Sequence, residues 1–199
     1  IILITLNKSK LVFATNNINK LSEIKDLLPN FQILDLNDIK CYVDLPETKS
    51  TIEGNSLQKA KYIYDNFGYN CFADDTGLEI DELSGEPGVY SARYAGEDCN
   101  AKNNIKKVLQ KLDGIKNRSA MFKTIITLIL DGNEYQFKGL CKGKITDFPI
   151  GNAGFGYDSI FVPDNYSKTF AQMSRYEKGL ISHRAIATKK LCSFFMSKK

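Results

Sequence analysis

The chain has 199 residues, 43% hydrophobic and 25% charged, with a formal net charge of +4. That length suits one domain, or two lobes sharing one core, because a chain this size buries about 70% of the surface it exposes when unfolded. No apolar run approaches the roughly 18 residues needed to cross a bilayer, and no block of like charges marks a nucleic-acid arm or a membrane-binding tail. The five cysteines are scattered with no C-x-x-C pair, which suggests neither a disulfide framework nor a zinc site. The expectation is a soluble protein of the reducing cytoplasm, with no nucleic acid and no membrane as partner and with a charge suited to a small anionic ligand.

Residues 1–9 open with the apolar Ile1-Ile2-Leu3-Ile4 and read as an appended or upstream segment, so the folded domain is expected over 10–199. Residues 10–14 read as a short buried strand. The polar loop Thr15-Asn16-Asn17-Ile18-Asn19 follows, and then Leu21, Ile24, Leu27 and Leu28 recur at helical spacing until Pro29. A second strand is expected over 31–36 and a second helix over 51–67, with Gly68 placed to close it. Residues 71–73 read as a brief strand with Asp74 and Asp75 at its carboxyl end. A turn cluster over 84–88 and a helix over 101–112 come next. Residues 121–130 and 135–141 flank Asp131-Gly132, a hairpin signal. The loop 151–158, a strand over 159–162 and a closing helix from about Ser182 to Phe195 complete the chain. Alternating strands and helices followed by a hairpin predict an α/β fold with a mixed sheet.

Several residues in this order bear on chemistry. Paired carboxylates such as Asp74 and Asp75 can hold a hard divalent cation and take a proton from water, although Asp-Asp-Thr-Gly also reads as a plain turn. Glu47 lies in Leu45-Pro46-Glu47-Thr48, a segment whose backbone the proline fixes, and is either a further metal ligand or a solvated loop residue. The loop from Thr15 to Lys20 joins a strand to a helix, where free N–H groups attract phosphate. It lacks the glycine spacing of a P-loop and equally reads as an Asn-rich helix cap. Lys59 is by itself a helix-surface lysine. Glycines on both sides of Phe155 allow close backbone approach to a ring on which a base can stack, and the alternative is an aromatic packed in a turn. Asp158 fits a metal-side carboxylate, a lysine partner or a cap. Ser182 is a natural N-cap for a helix starting at His183, and donors there plus Arg184 can read a purine 6-oxo edge.

Taken together, Ala73-Asp74-Asp75-Thr76-Gly77-Leu78, residues 87–94, Gly154-Phe155-Gly156-Tyr157-Asp158 and Ser182-His183-Arg184 resemble the inosine triphosphate pyrophosphatase family, also called Ham1-like. The resemblance runs from about Lys10 to the last helix. It implies a strongly twisted sheet flanked by helices, two lobes with a central cleft, and a homodimer. It also implies magnesium-dependent hydrolysis of non-standard purine nucleoside triphosphates, ITP, dITP, XTP and dXTP, to the monophosphate and pyrophosphate. By similarity Asp75 is the general base, and Asp75, Asp74 and Glu47 stand on the metal side. Thr15, Asn16, Asn17, Ile18, Asn19, Lys20, Lys59 and Thr76 would handle phosphates and sugar. Phe155, Gly156, Tyr157, Asp158, Lys178, His183 and Arg184 would hold the base. Asn16 stands where many relatives have glycine, but asparagine tolerates positive φ. Two other readings differ in class: a Maf-like pyrophosphatase for other nucleotides, and a non-catalytic nucleotide- or RNA-binding module.

Overall fold

The computed structural model describes residues 10–197, so the segment 1–9 lies outside the described residues. Strand β1 (Lys10–Phe13) leads to helix α1 (Ile18–Leu27), whose cap residue Asn17 accepts from the Asn19 and Lys20 N–H groups. Strand β2 (Gln32–Leu34) follows, then helix α2 (Ile52–Phe67), capped by Thr51 and ended by Gly68 at φ 69°. Both helices bury the apolar stripe read in the sequence, Leu21 and Ile24 in α1 and Ile52, Ala60 and Ile63 in α2. These crossovers make β1 parallel to β2 on one side and to β3 (Cys71–Ile80) on the other.

The second half of the sheet is antiparallel. β3 pairs with β5 (Ser119–Leu130), β5 with β6 (Asn133–Ile145), and β6 with β7 (Phe161–Pro163), while β4 (Pro87–Gly88) folds back on β3. The order is β2-β1-β3-β5-β6-β7, a mixed sheet as expected. The β5–β6 turn is Asp131-Gly132 alone, both at positive φ, as a two-residue hairpin requires. Both strands therefore extend beyond their expected limits. Helix α3 (Ala101–Lys111) precedes the hairpin, and α4 (Arg175–Ile181) and α5 (His183–Ser197) end the fold. None of the described helices is long and apolar enough to cross a membrane.

The strand expected over 159–162 begins only at Phe161, after a 3-10 turn over Asp158–Ile160, and two larger differences separate the sequence reading from the structure. Helix α4 was not anticipated, although Ser174 and Glu177 form a reciprocal capping box at its start. Its seven residues carry too short an apolar pattern for periodicity to register. The second difference concerns β3, which does not stop at Ala73. It pairs with β5 without interruption from Cys71↔Ile129 to Ile80↔Ala120, so Asp74 and Asp75 sit mid-strand. Aspartate is depleted in strands, but the β5 ladder satisfies this backbone and the side chains find charged partners.

Apolar packing is arranged around that polar middle. Phe72 joins Leu11, Phe13, Ile126 and Leu128, and its ring stacks on Phe13 at 4.7 Å. Cys71 and Ala73 face α2 in a second cluster, and Leu78 and Ile80 enter a third with Phe122, Phe161 and Phe170. Asp74, Asp75 and Thr76 lie between them. α5 reaches this region because β6 carries Gly139, where a Cβ would collide with the His183 carbonyl oxygen and the Ala187 nitrogen.

Candidate active site

β1 ends opposite Phe72 and the antiparallel β4 ends opposite Leu78, so no strand pairs with residues 74–77 on that edge of β3. The opening lies beyond the carboxyl end of the parallel strand β1, where α/β sheets commonly bind ligands. It is that strand's end, and not the end of β3, that matters. Strand alternation sends Asp74 toward α1 and α5, and Asp75 toward α2.

Asp74 is fully buried. Its Oδ1 accepts from Lys20 Nζ at 3.0 Å, and its Oδ2 from Arg184 Nε at 3.0 Å and Thr76 Oγ1 at 3.4 Å. Burial by itself would raise this carboxyl, but Lys20 and Arg184 outweigh it and hold it far below the usual carboxylate range. Asp74 is thus a fixed anion that collects cations.

Asp75 is 6% exposed, yet its Oδ2 has no hydrogen-bond partner, and its Oδ1 lies 3.5 Å from Lys59 Nζ. Burial raises its carboxyl, and the pull of Lys59 and Lys20 does not cancel the effect. A carboxylate kept basic, with a free lone pair, is equipped to accept a proton. Lys59 also pairs with Glu47; burial opposes its charge, but Asp75 and Glu47 together raise it above an ordinary lysine. Lys20, by contrast, is lowered by burial. The Glu47 loop is tied to α2 by the Lys49 N–H on Asn55 Oδ1 at 2.8 Å and the Thr48 N–H on Gln58 Oε1 at 2.9 Å. Arg93 approaches Glu47 at 3.8 Å.

The other end of the opening is aromatic and cationic. Gly154 and Gly156 have φ of 74° and 60°, and between them Phe155 is half-buried with its N–H donated to Asp158 Oδ2 at 2.8 Å. A Cβ on Gly154 would collide with that carboxylate. Lys178 Nζ lies 4.8 Å from the Phe155 ring centroid and Arg184 Cζ 5.6 Å from it. Lys178 binds Asp158 at 2.6 Å, so Asp158 proves to be lysine partner and loop cap together. His183 is buried and stacked on Phe122 at 4.5 Å, with Nδ1 unpartnered. Burial, then Arg184 and Lys178, push it well below an ordinary histidine, so the ring is neutral.

The remaining expected residues frame the site. Thr15 Oγ1 accepts from the Asn17 N–H, Asn17 caps α1, and Ile18 and Asn19 are exposed at its start. Asn16 Nδ2 donates to Asp44 at 3.3 Å, and its φ is not positive, so its tolerance for that region goes unused. Thr76 Oγ1 lies 2.7 Å from Thr124 Oγ1. The Tyr157 ring joins the core, where its hydroxyl donates to the Ser91 carbonyl. The sequence reading missed Glu23, which pairs with both Lys178 and Arg184. The available signal was its place three residues after Lys20 on the same face of α1.

Among the described residues no group of three or more His, Cys, Asp or Glu side chains is gathered as a metal cluster. Both Asp74 oxygens already accept from cations, which leaves Asp75 Oδ2 as the free acceptor of the aspartate pair.

The Ham1 family profile matches residues 11–194. A relative from Flavobacterium johnsoniae named dITP/XTP pyrophosphatase is 54% identical over 96% of this chain and 100% of its own. Another of that name, from Porphyromonas gingivalis, is 45% identical over 96% of this chain and 99% of its own. Among solved structures, the Staphylococcus aureus Ham1 protein superposes with a TM-score of 0.88 at 38% identity, covering 96% of this chain and 100% of that one. A HAM1 protein from Coxiella burnetii gives 0.86 at 34% identity, covering 95% and 99%.

Proposed function

Since this chain belongs to the Ham1 family, we propose that it hydrolyses non-standard purine nucleoside triphosphates, the ITP, dITP, XTP and dXTP class, to the monophosphate and pyrophosphate. The observation that carries the reading is Asp75, a buried and basic carboxylate with one oxygen free, set among lysines. The names of the relatives supply the substrate class.

In this reading Asp75 orients a water and takes its proton as the water attacks the α-phosphorus. Lys20 and Lys59 neutralise charge that develops on the phosphate oxygens. Asp74 keeps Lys20 and Arg184 in place. At the other end Phe155 stacks on the base, and donors from Lys178, the His183 turn and Arg184 meet acceptors on its edge. A purine with a 6-oxo group satisfies donor-only side chains, whereas the 6-amino group of adenine leaves one of them unpaired. Asp75 with Glu47 would hold magnesium together with the substrate's own phosphates. Its free buried oxygen fits an ion that takes one or two carboxylates and completes its shell with phosphate and water. When bound, magnesium would supply Lewis-acid charge at the triphosphate.

The test is pyrophosphate release from ITP, XTP, GTP and ATP, each with and without magnesium. Turnover of ITP or XTP that requires magnesium, with little from GTP and ATP, is expected. Turnover confined to canonical or modified pyrimidine nucleotides would point to Maf-like chemistry, and none at all to a binding module.

A further inference from the structure

Three consecutive residues of the Glu47 loop are each held by α2. The Glu47 carboxylate accepts from Lys59 Nζ, the Thr48 N–H donates to Gln58 Oε1 at 2.9 Å, and the Lys49 N–H donates to Asn55 Oδ1 at 2.8 Å. Gln58 Nε2 also donates to Thr48 Oγ1 at 2.9 Å. The loop lies so close to the helix that a Cβ on Gly54 would stand 2.8 Å from the Lys49 Cβ. Thr48 and Lys49 are exposed, so water could serve their N–H groups equally well. Asn55 is fully buried, and with Oδ1 turned to Lys49 its Nδ2 is left without a partner. A buried donor left unpaired is costly, and an apolar residue would fill the same place without that cost. What the amide supplies is a grip on the loop.

We infer that Asn55 and Gln58 are positioning residues that hold the Glu47 backbone where its carboxylate can serve magnesium beside Asp75, so that only the side chain has to turn when the ion binds. The inference rests on the function proposed above. In the free protein Lys59 engages the Glu47 carboxylate and Arg93 approaches it at 3.8 Å, so an ion must draw it away from both cations. A backbone fixed beforehand takes the ordering of the loop out of the cost of binding, and a loose loop puts it back. Among the described residues, the hydrogen bonds of the two amides go to the loop and not to the Phe155 end. Their loss should therefore act on the magnesium requirement more than on recognition of the base.

The experiment compares the wild-type protein with Gln58→Ala, Gln58→Glu and Asn55→Ala on two readouts. Amide hydrogen exchange of the free protein reads the grip directly. Exchange at Thr48 in Gln58→Ala, and at Lys49 in Asn55→Ala, should quicken about ten-fold. Gln58→Glu keeps an acceptor oxygen for the Thr48 N–H and should restore its protection. The second readout is the magnesium concentration at half-maximal ITP hydrolysis. It should rise about ten-fold in both alanine variants, with KM for ITP at saturating magnesium within about three-fold of wild type. The control is Lys61→Ala, which removes an exposed pair between α2 and Glu134 at 2.6 Å and should change neither readout. Gln58 is partly exposed, so its variants decide the matter even if the buried Asn55 does not tolerate alanine. Wild-type exchange at Thr48 in Gln58→Ala, or an unchanged magnesium midpoint, would overturn the inference. So would an equal rise in Lys61→Ala, because loosening of α2 would then be the cause. Failure of the wild type to release pyrophosphate from ITP or XTP would count against the parent function alone. The exchange rates need no substrate, and they would still decide whether the amides hold the loop.

Discussion

The two ends of the opening are built from the same charge types but differ in how completely the charges are matched. At the Phe155 end Asp158 faces Lys178, Glu23 faces Lys178 and Arg184, and His183 is neutral and stacked, so the side chains have little freedom. At the Asp75 end Lys59 is shared between Glu47 and Asp75, and one Asp75 oxygen is left without a partner. Closed pairs hold shape, and shape is what recognition needs. An unmatched carboxylate, kept basic by burial, holds a lone pair for use in reaction.

The largest expected break in that contrast is Asp75→Asn. Pyrophosphate release should fall by about 100- to 10,000-fold, the range for loss of a general base, while ITP binding by calorimetry persists. In the magnesium-free protein the Asp75 carboxyl should titrate above an ordinary aspartate, because burial raises it, and carbon-13 NMR of that carboxyl measures the shift. A variant with near-normal turnover would remove Asp75 from the mechanism.

The closed end should break through stability. Arg184→Met leaves the buried Asp74 with Lys20 alone and the partly exposed Glu23 with Lys178 alone, and a cost of about 3 kcal/mol in urea unfolding is expected. A loss below about 1 kcal/mol would mean that the ion-pair chain is not a unit. A smaller effect should follow from Phe155→Ala, with KM for ITP rising by the equivalent of about 1–3 kcal/mol of lost stacking and kcat changing less. A fall confined to kcat would refute the stacking role.

The smallest effect concerns pH. His183, the chain's single histidine, has its folded pKa held well below its ordinary 6.5. Below that pH the unfolded chain takes a proton that the folded protein refuses, so stability falls as pH falls, by about 1.4 kcal/mol per unit. Urea unfolding at pH 7.5, 6.5 and 5.5 measures the slope. His183→Phe should flatten it, and an unchanged slope would show that His183 is not the group responsible.

Most elements were legible because their signals are local. The Asn17 and Ser182 caps, the end at Gly68, the Asp131-Gly132 turn and the apolar stripes of α1 and α2 all arise from residues a few positions apart. The motif residues that meet in the opening, Lys20, Lys59, Asp74, Asp75, Phe155, Lys178 and Arg184, were found from motif order and family resemblance. Glu23 was not, because its partners lie 155 and 161 residues away and the one local signal is its place three residues after Lys20.

By itself, then, the sequence determined the α/β pattern, the caps and turns, and the kinds of side chain available for chemistry, since each depends on neighbouring backbone and periodic burial. Only the tertiary structure decided that β3 continues through Asp74 and Asp75, because the β5 ladder is a long-range pairing. It also decided which carboxylate is matched and which is left reactive. The pKa of a carboxyl depends on burial and on cations brought from α1, α2 and α5, and two adjacent aspartates carry no mark in sequence of which face each will meet.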